Sequence, residues 1–440
     1  MLERSQTAPL DVHFTSLDFK HSTKTLTTIF HEIERVRTLT FILRERHFLD
    51  MVHDAFASLG RDWEAYLLES LTIGMNTVSR PAIDAKLAMD LFRPTRLLRR
   101  LTLLGGYYDW NMLPLPNLTH LELYGQSLGG VSPVHFIETL RQMQHLEVLG
   151  IGWKNVCLHH FPPIPRPQPI HLPSLQRLNI SDGYSVHVES FLVLVTHPKL
   201  HQLSMSISTP VTEVLALAQA VLSSVGQGDF SPFESLKMYF NGNITITIFA
   251  KPWSSYDDGS LIHMFIPIDE EGFDVHDDRT NFGFLVDIIM SCLTPLVCPD
   301  KIPLRHLHLG GWDLPIDEFT RLFASLPHLE TIELDEKLAL ILFKVLNIAS
   351  ASDSSIIPFP KLRSIIWNGE WQHIREVPVL SPSVFDDLYS GLLSRHAHGT
   401  GITELRLVGC EHLNEIQVRQ LEEIGIRCMT YMTSTYGTIL

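Results

Sequence analysis

The chain has 440 residues, 45% hydrophobic and 19% charged, a balance that excludes a disordered tail and allows a large buried core. Its formal net charge of −15 repels polyanions, and no Lys/Arg run forms a patch that would overcome this, which argues against nucleic acid as a partner. No signal-peptide stretch follows Met1 and no uncharged run of about 18 apolar residues occurs, so the sequence predicts an intracellular chain, cytoplasmic or nuclear, without a membrane partner.

Taken in chain order, one arrangement keeps returning: apolar-x-x-apolar-x-apolar. It appears at Val36/Leu39/Phe41, Leu68/Leu71/Ile73, Leu98/Leu101/Leu103, Leu118/Leu121/Leu123 and Leu146/Leu149/Ile151. After the proline-rich stretch FPPIPRPQPIH (Phe161 to His171), expected to be extended and exposed, it resumes at Leu175/Leu178/Ile180, Leu200/Leu203/Met205 and Phe233/Leu236/Met238. It closes with Leu304/Leu307/Leu309, Leu329/Ile332/Leu334, Leu362/Ile365/Trp367 and Ile402/Leu405/Leu407. The lead-ins LPNL, LPSL, HPKL, LPHL and FPKL place a proline two residues before the first apolar position, where it stops a helix and leaves the chain extended.

Helical spacing lies between these strands: Phe136, Ile137, Leu140 and Met143; Leu215, Leu217, Ala218, Val221 and Leu222; Ile316, Phe319, Leu322, Phe323 and Leu326; Phe385, Leu388, Leu392 and Leu393. Each repeat is therefore a short strand followed by a helix. Residues between the apolar positions are polar, so one sheet face meets water, unlike a doubly wound sheet covered on both sides. One region breaks the rhythm: NITITIFA and LIHMFIPI alternate as paired strands should, followed by the acidic loop DEEGFDVHDDRT (Asp269 to Thr280).

This is the leucine-rich repeat pattern, LxxLxLxx(N/C)xL, matched to its last position by the Leu118 and Leu304 repeats (Leu128 and Leu314), with Gln126 and Trp312 at the usual asparagine position and Cys410 fitting it in the final repeat. The expected fold is α/β: an irregular horseshoe-shaped solenoid with a curved parallel sheet on the concave side and helices on the convex side. Residues 1–35 are expected to cap it, and 36–440 to form the repeat domain with an irregular insertion at about 239–303.

The loosely spaced LP-x-L-x-x-L-x-L repeats resemble those of fungal, basidiomycete-type F-box-like leucine-rich repeat proteins. ERSQTAPLDVHF (Glu3 to Phe14) resembles the segment that follows the F-box there, leading through Pro-Leu into a first strand. The chain shows no Leu-Pro-x-Glu motif of an F-box and is expected to begin after that point. The resemblance implies a non-enzymatic protein-binding module, the substrate receptor of a ubiquitin ligase, whose adaptor would dock through an F-box if one lay upstream. An orphan scaffold without a ligase link is the competing reading.

Alternation assigns the third, fifth and seventh position of each strand to the concave face. That face then carries Arg100 and Thr102; His120, Glu122 and Tyr124; Arg177, Asn179 and Ser181; Lys237 and Tyr239; His306 and His308; Glu333 and Asp335; Glu404 and Arg406, with Trp153 just past its strand. Tyr, Trp and Arg supply much of the energy at protein interfaces, so His120, Glu122, Tyr124, Trp153 and Arg177 form the leading contact patch. The plainer alternative is that they are solvated sheet residues. His306 and His308 would also offer a response to pH.

No cofactor or metal is expected. Cys157-Leu-His159-His160 and Asp274-Val-His276-Asp277-Asp278 lack the second half of a zinc site, and the acidic loop lacks the order of a calcium loop. Five cysteines without a CxxC pair read as reduced thiols, and the sequons at Asn117, Asn179 and Asn243 fall in expected strands. No nucleophile elbow, phosphate loop or dinucleotide fingerprint is present, so no catalytic residue is assigned.

Overall fold

Each copy of the repeated spacing forms a strand whose apolar residues turn to one side, because successive side chains in a strand alternate between faces. The computed structural model describes residues 8–15, 19–43, 65–75, 96–104, 115–124, 133–152, 169–208, 213–228, 234–240, 243–249, 260–267, 304–311, 314–351, 358–368, 382–408 and 413–431. The chain divides into two units, Met1–Ser208 with Ala220–Phe230, and Thr209–Gln219 with Ser231–Leu440.

In the first unit the order is β1 (Leu10–Thr15), α1 (Phe19–His31), a 3-10 turn (Ile33–Arg35), β2 (Val36–Leu43), β3 (Ser70–Met75), β4 (Arg100–Leu104) and β5 (His120–Tyr124). Then come α2 (Pro133–Arg141), β6 (Val148–Gly152), β7 (Ile170–His171), β8 (Arg177–Tyr184), α3 (Ser185–Leu194), β9 (Val195–Thr196) and β10 (Gln202–Ser208). Eight strands form a parallel sheet in the order β1-β2-β3-β4-β5-β6-β8-β10, so spatial order follows chain order. The residues expected to cap the repeats thus include β1, a strand of the sheet itself. Leu39, Leu71, Leu101, Leu121, Leu149, Leu178 and Leu203 line up across seven strands, all fully buried. Leu26 and Phe30 of α1, Phe136 and Leu140 of α2, and Phe191 of α3 add to this core. Phe30 meets Phe41 edge-on at 6.0 Å, and Phe136 lies 6.3 Å from Phe191.

The lead-in proline does more than extend the chain. Leu118, Leu175, Leu200 and Leu362 each donate an N–H to the carbonyl three residues earlier, at Leu115, Leu172, His197 and Phe359, so the proline is the second residue of a tight turn. The far end of the proline-rich stretch also differs from expectation. Ile170–His171 pairs with Val195–Thr196, and Ile170 is fully buried because an apolar residue there can complete the core.

The second unit contains β11 (Ser235–Phe240), β12 (Asn243–Phe249), β13 (Ser260–Pro267), β14 (His306–Gly310), α5 (Ile316–Phe323) and β15 (Thr331–Leu334). It continues with α6 (Glu336–Ala351), β16 (Ser364–Asn368), α7 (Pro382–Ala397), β17 (Glu404–Val408), α8 (Glu415–Glu423) and β18 (Arg427–Tyr431). Helix α4 (Val214–Gln227) runs through the sequence boundary between the units. The irregular region resolves into an antiparallel meander: β12 pairs with both β11 and β13, and NITITIF and SLIHMFIP lie side by side. From β11 onward β14 to β18 follow in chain order, all parallel. The acidic loop and both His/Cys/Asp clusters lie outside the described residues.

Helices α3 (SVHVESFLVL) and α6 (EKLALILFKVLNIASA) were not marked by a periodic pattern, because their apolar residues leave no wide polar stripe. Helix α6 packs against α5, α7, β15 and β16, and its Phe343 meets Trp367 at 5.7 Å. Asp335 starts this helix: its Oδ1 accepts the Leu338 N–H at 3.0 Å, and its Oδ2 accepts the N–H of Gly311 at the end of β14.

The first residue after each lead-in apolar position forms a second ladder. The Glu69 carbonyl accepts N–H groups from Arg99 and Arg100, the Arg99 carbonyl those of Thr119 and His120, and the Glu330 carbonyl those of Arg363 and Ser364. Along part of this ladder charges alternate in sign, through Arg37, Glu69 and Arg99 in one unit and Glu234, Arg305, Glu330 and Arg363 in the other; Thr119, Gln176 and Thr403 continue it uncharged. Arg37 also reaches back to Asp11 at 2.8 Å, and Arg305 to Glu330 at 3.7 Å.

Candidate functional site

The polar face of the first unit gathers the leading patch in two rows. Strand register sets Arg100, His120, Val148 and Arg177 in line across β4, β5, β6 and β8, and Thr102, Glu122, Gly150 and Asn179 in the next line. Arg100 and Arg177 are exposed, while His120, Glu122, Tyr124 and Asn179 are half-buried. Trp153 lies outside the described residues.

Gly150 explains how the second row closes. A β-carbon there would stand 2.5 Å from the Tyr124 hydroxyl oxygen and 3.1 Å from Glu122 Cγ, so the Tyr124 ring occupies the space above the glycine. From that seat Tyr124 hydrogen-bonds the Asn179 side chain on β8, and burial with the nearby Glu122 carboxylate pushes its phenol up to about 12. On the other side of the row the Thr102 hydroxyl donates to Glu122 Oε2 at 3.0 Å. Sequence alternation found Thr102, Glu122, Tyr124 and Asn179 but missed Gly150, which carries no polar group to notice.

The first row is cationic. His120 contacts the Thr119 hydroxyl through Nδ1 at 2.8 Å, and its pKa is lowered by burial first and then by Arg100 and Arg177, against the opposing carboxylates of Glu147 and Glu122. Val148 is buried between the histidine and Arg177 and supplies an apolar floor.

In the second unit part of the corresponding face is buried. His308 is only 6% exposed and stands beside Lys237 on β11 and Glu333 on β15, with Nδ1 3.3 Å from Glu333 Oε2. Burial, then the Lys237 ammonium, hold its pKa well below the ordinary value, so the ring is neutral and this contact is not an ion pair at neutral pH. Asn368, which sequence reasoning did not mark, donates to Glu333 Oε1 at 2.9 Å and is buried with it. Lys237 has its pKa lowered by burial, and the half-buried Tyr239 phenol is raised by burial and Asp335. His306 is half-buried, with its pKa lowered mainly by burial. On β17, Glu404 accepts from Ser364 at 3.2 Å and from Arg406 at 3.1 Å.

A serine–histidine pair occurs elsewhere in the first unit: Ser224 Oγ lies 2.7 Å from His197 Nε2. Both residues are at most 1% exposed, so no substrate reaches them, and burial lowers the histidine pKa. Among the described residues no group of three or more His, Cys, Asp or Glu side chains is placed to hold a metal ion. Among them, too, no helix is long and apolar enough to cross a membrane.

A scan against protein-family models finds no match, and a search of curated proteins finds no matching relative.

Proposed function

We propose that the chain is an irregular leucine-rich repeat solenoid that works inside the cell as a non-enzymatic protein-binding module, using the polar sheet face of the first unit. The observation that carries this reading is the pair of rows across β4, β5, β6 and β8, where an exposed arginine pair, a seated tyrosine and a hydrogen-bonded asparagine share one surface over buried leucines. Arginine and tyrosine are, with tryptophan, the side chains enriched among the few residues that dominate interface energy. The resemblance to F-box-like repeat proteins extends the proposal to a substrate receptor of a ubiquitin ligase.

Affinity purification of the tagged chain, alongside a Tyr124→Ala/Arg177→Ala variant, tests it. Proteins recovered by the native chain and lost by the variant, at an unchanged fold, support a binding face. Recovery of the ligase adaptor supports the receptor role. Partners that ignore the substitutions sink the face assignment, and a set without the adaptor leaves an orphan scaffold.

A further inference from the structure

Among the described arginines of the first unit, Arg35, Arg37 and Arg141 each pair with a carboxylate. Arg100 and Arg177 form no ion pair among the described residues, although the chain carries 49 acidic against 34 basic residues. Arg96 and Arg99, in the lead-in to β4, are exposed and likewise form no ion pair among these residues. Carboxylates are near at hand. Glu122 and Glu147 both act on His120, yet neither salt-bridges a flanking guanidinium.

The spacing of the row selects a shape of ligand. Arg100 and Arg177 are three strand spacings apart, about 14 Å, since neighbouring strands lie about 4.8 Å apart. An extended peptide advances about 3.3 Å per residue and alternates its side chains, so residues i and i+4 on one face are about 13 Å apart. The middle residue, i+2, then falls over buried Val148 and the edge of His120. A longer polyanion gains little more, because the chain's net charge of −15 repels it beyond this patch.

We infer that the Arg100–His120–Arg177 row docks an extended acidic protein segment, with carboxylates four residues apart on the two guanidinium groups and an apolar residue between them over Val148. This rests on the reading of the polar face as a protein-binding surface and names the chemistry of what binds there. Arginine suits the task because its planar fork takes a carboxylate through two parallel hydrogen bonds.

The test uses the full chain and two fluorescein-labelled ten-residue peptides of Ser and Thr. One has Glu at positions 4 and 8 with Val at 6, and its twin has Gln in place of both Glu. The Glu peptide is expected to bind saturably and more weakly as salt is raised. The Gln twin, and the Arg100→Gln/Arg177→Gln variant, should each lose roughly tenfold or more in affinity. Equal binding of the two peptides, or binding of neither, overturns the inference. Panning a random twelve-residue peptide display on the same chains separates this from the parent reading. Acid-free sequences that depend on Tyr124 but not on Arg100 and Arg177 would overturn the acidic ligand and keep the binding face, whereas sequences indifferent to all three would remove both.

Discussion

Arg395, buried on α7, donates through Nη2 to the carbonyl of Phe359 at 2.8 Å and through Nη1 to the carbonyl of Pro358. Phe359 sits at φ 52°, a left-handed conformation unusual for a bulky side chain, and its ring packs 6.2 Å from that of Phe319. The guanidinium has main-chain oxygens rather than a carboxylate around it, and burial lowers its pKa to about 10. Arg395→Ala would leave both carbonyls without this donor and open a cavity, so it should cost about 2–4 kcal/mol. Arg395→Lys should recover only part of this, because one ammonium lacks the fork that spans two carbonyls. Urea unfolding of the three proteins checks it, and a lysine variant as stable as the native chain would refute the two-carbonyl role.

Gly150 and Tyr124 should behave as a coupled pair. Gly150→Ala displaces the Tyr124 ring and its bond to Asn179, for a loss of about 1 kcal/mol. Once Tyr124→Ala is in place, the same substitution should cost markedly less. A double-mutant cycle gives the answer, and strict additivity would mean that the ring does not rest on the glycine.

The two faces of β5 should respond differently to truncation. Leu121→Ala removes a fully buried side chain and should cost about 2–5 kcal/mol through the cavity it leaves. Tyr124→Ala with Arg177→Ala should cost about 1 kcal/mol, since Arg177 is exposed and Tyr124 gives up mainly one hydrogen bond. Thermal melts that shift equally for both variants would contradict the face assignment.

Acid should weaken the second unit through His308. Its folded pKa lies below the ordinary histidine value, so the unfolded chain takes up a proton first as pH falls. Stability is therefore flat above about pH 6.5 and drops below it, by at most about 1.4 kcal/mol per pH unit for this residue. His197 in the first unit acts in the same direction. Unfolding at pH 7.5, 6.0 and 5.0 should show a shallower decline for His308→Gln than for the native chain, and identical slopes would rule His308 out as a source.

The strands were legible because burial leaves a mark in composition. Leu121, Leu149 and Leu178 can only be apolar, and their spacing is that of the sheet face they occupy. Register made the Arg100 and Thr102 rows legible by the same counting. What alternation does not report is cover. His308 and Glu122 hold equivalent positions in their strands, yet one is 6% exposed and the other half-buried, because surroundings far along the chain decide it. Gly150 was invisible since its role is to leave room, and α6 was invisible since it is enclosed by α5, α7 and the sheet.

The alternating charges of Arg37, Glu69 and Arg99, and of Glu234, Arg305, Glu330 and Arg363, bear on assembly as well as on the finished sheet. Repeats this similar invite a strand to dock one place too far along. Such a slip would set Arg37 against Arg99, or Glu234 against Glu330, at one strand spacing, where like charges repel. Each of these seven repeats thus carries a sign that its correct neighbour matches and its next-but-one neighbour refuses, a parity check on the order in which those strands are laid down.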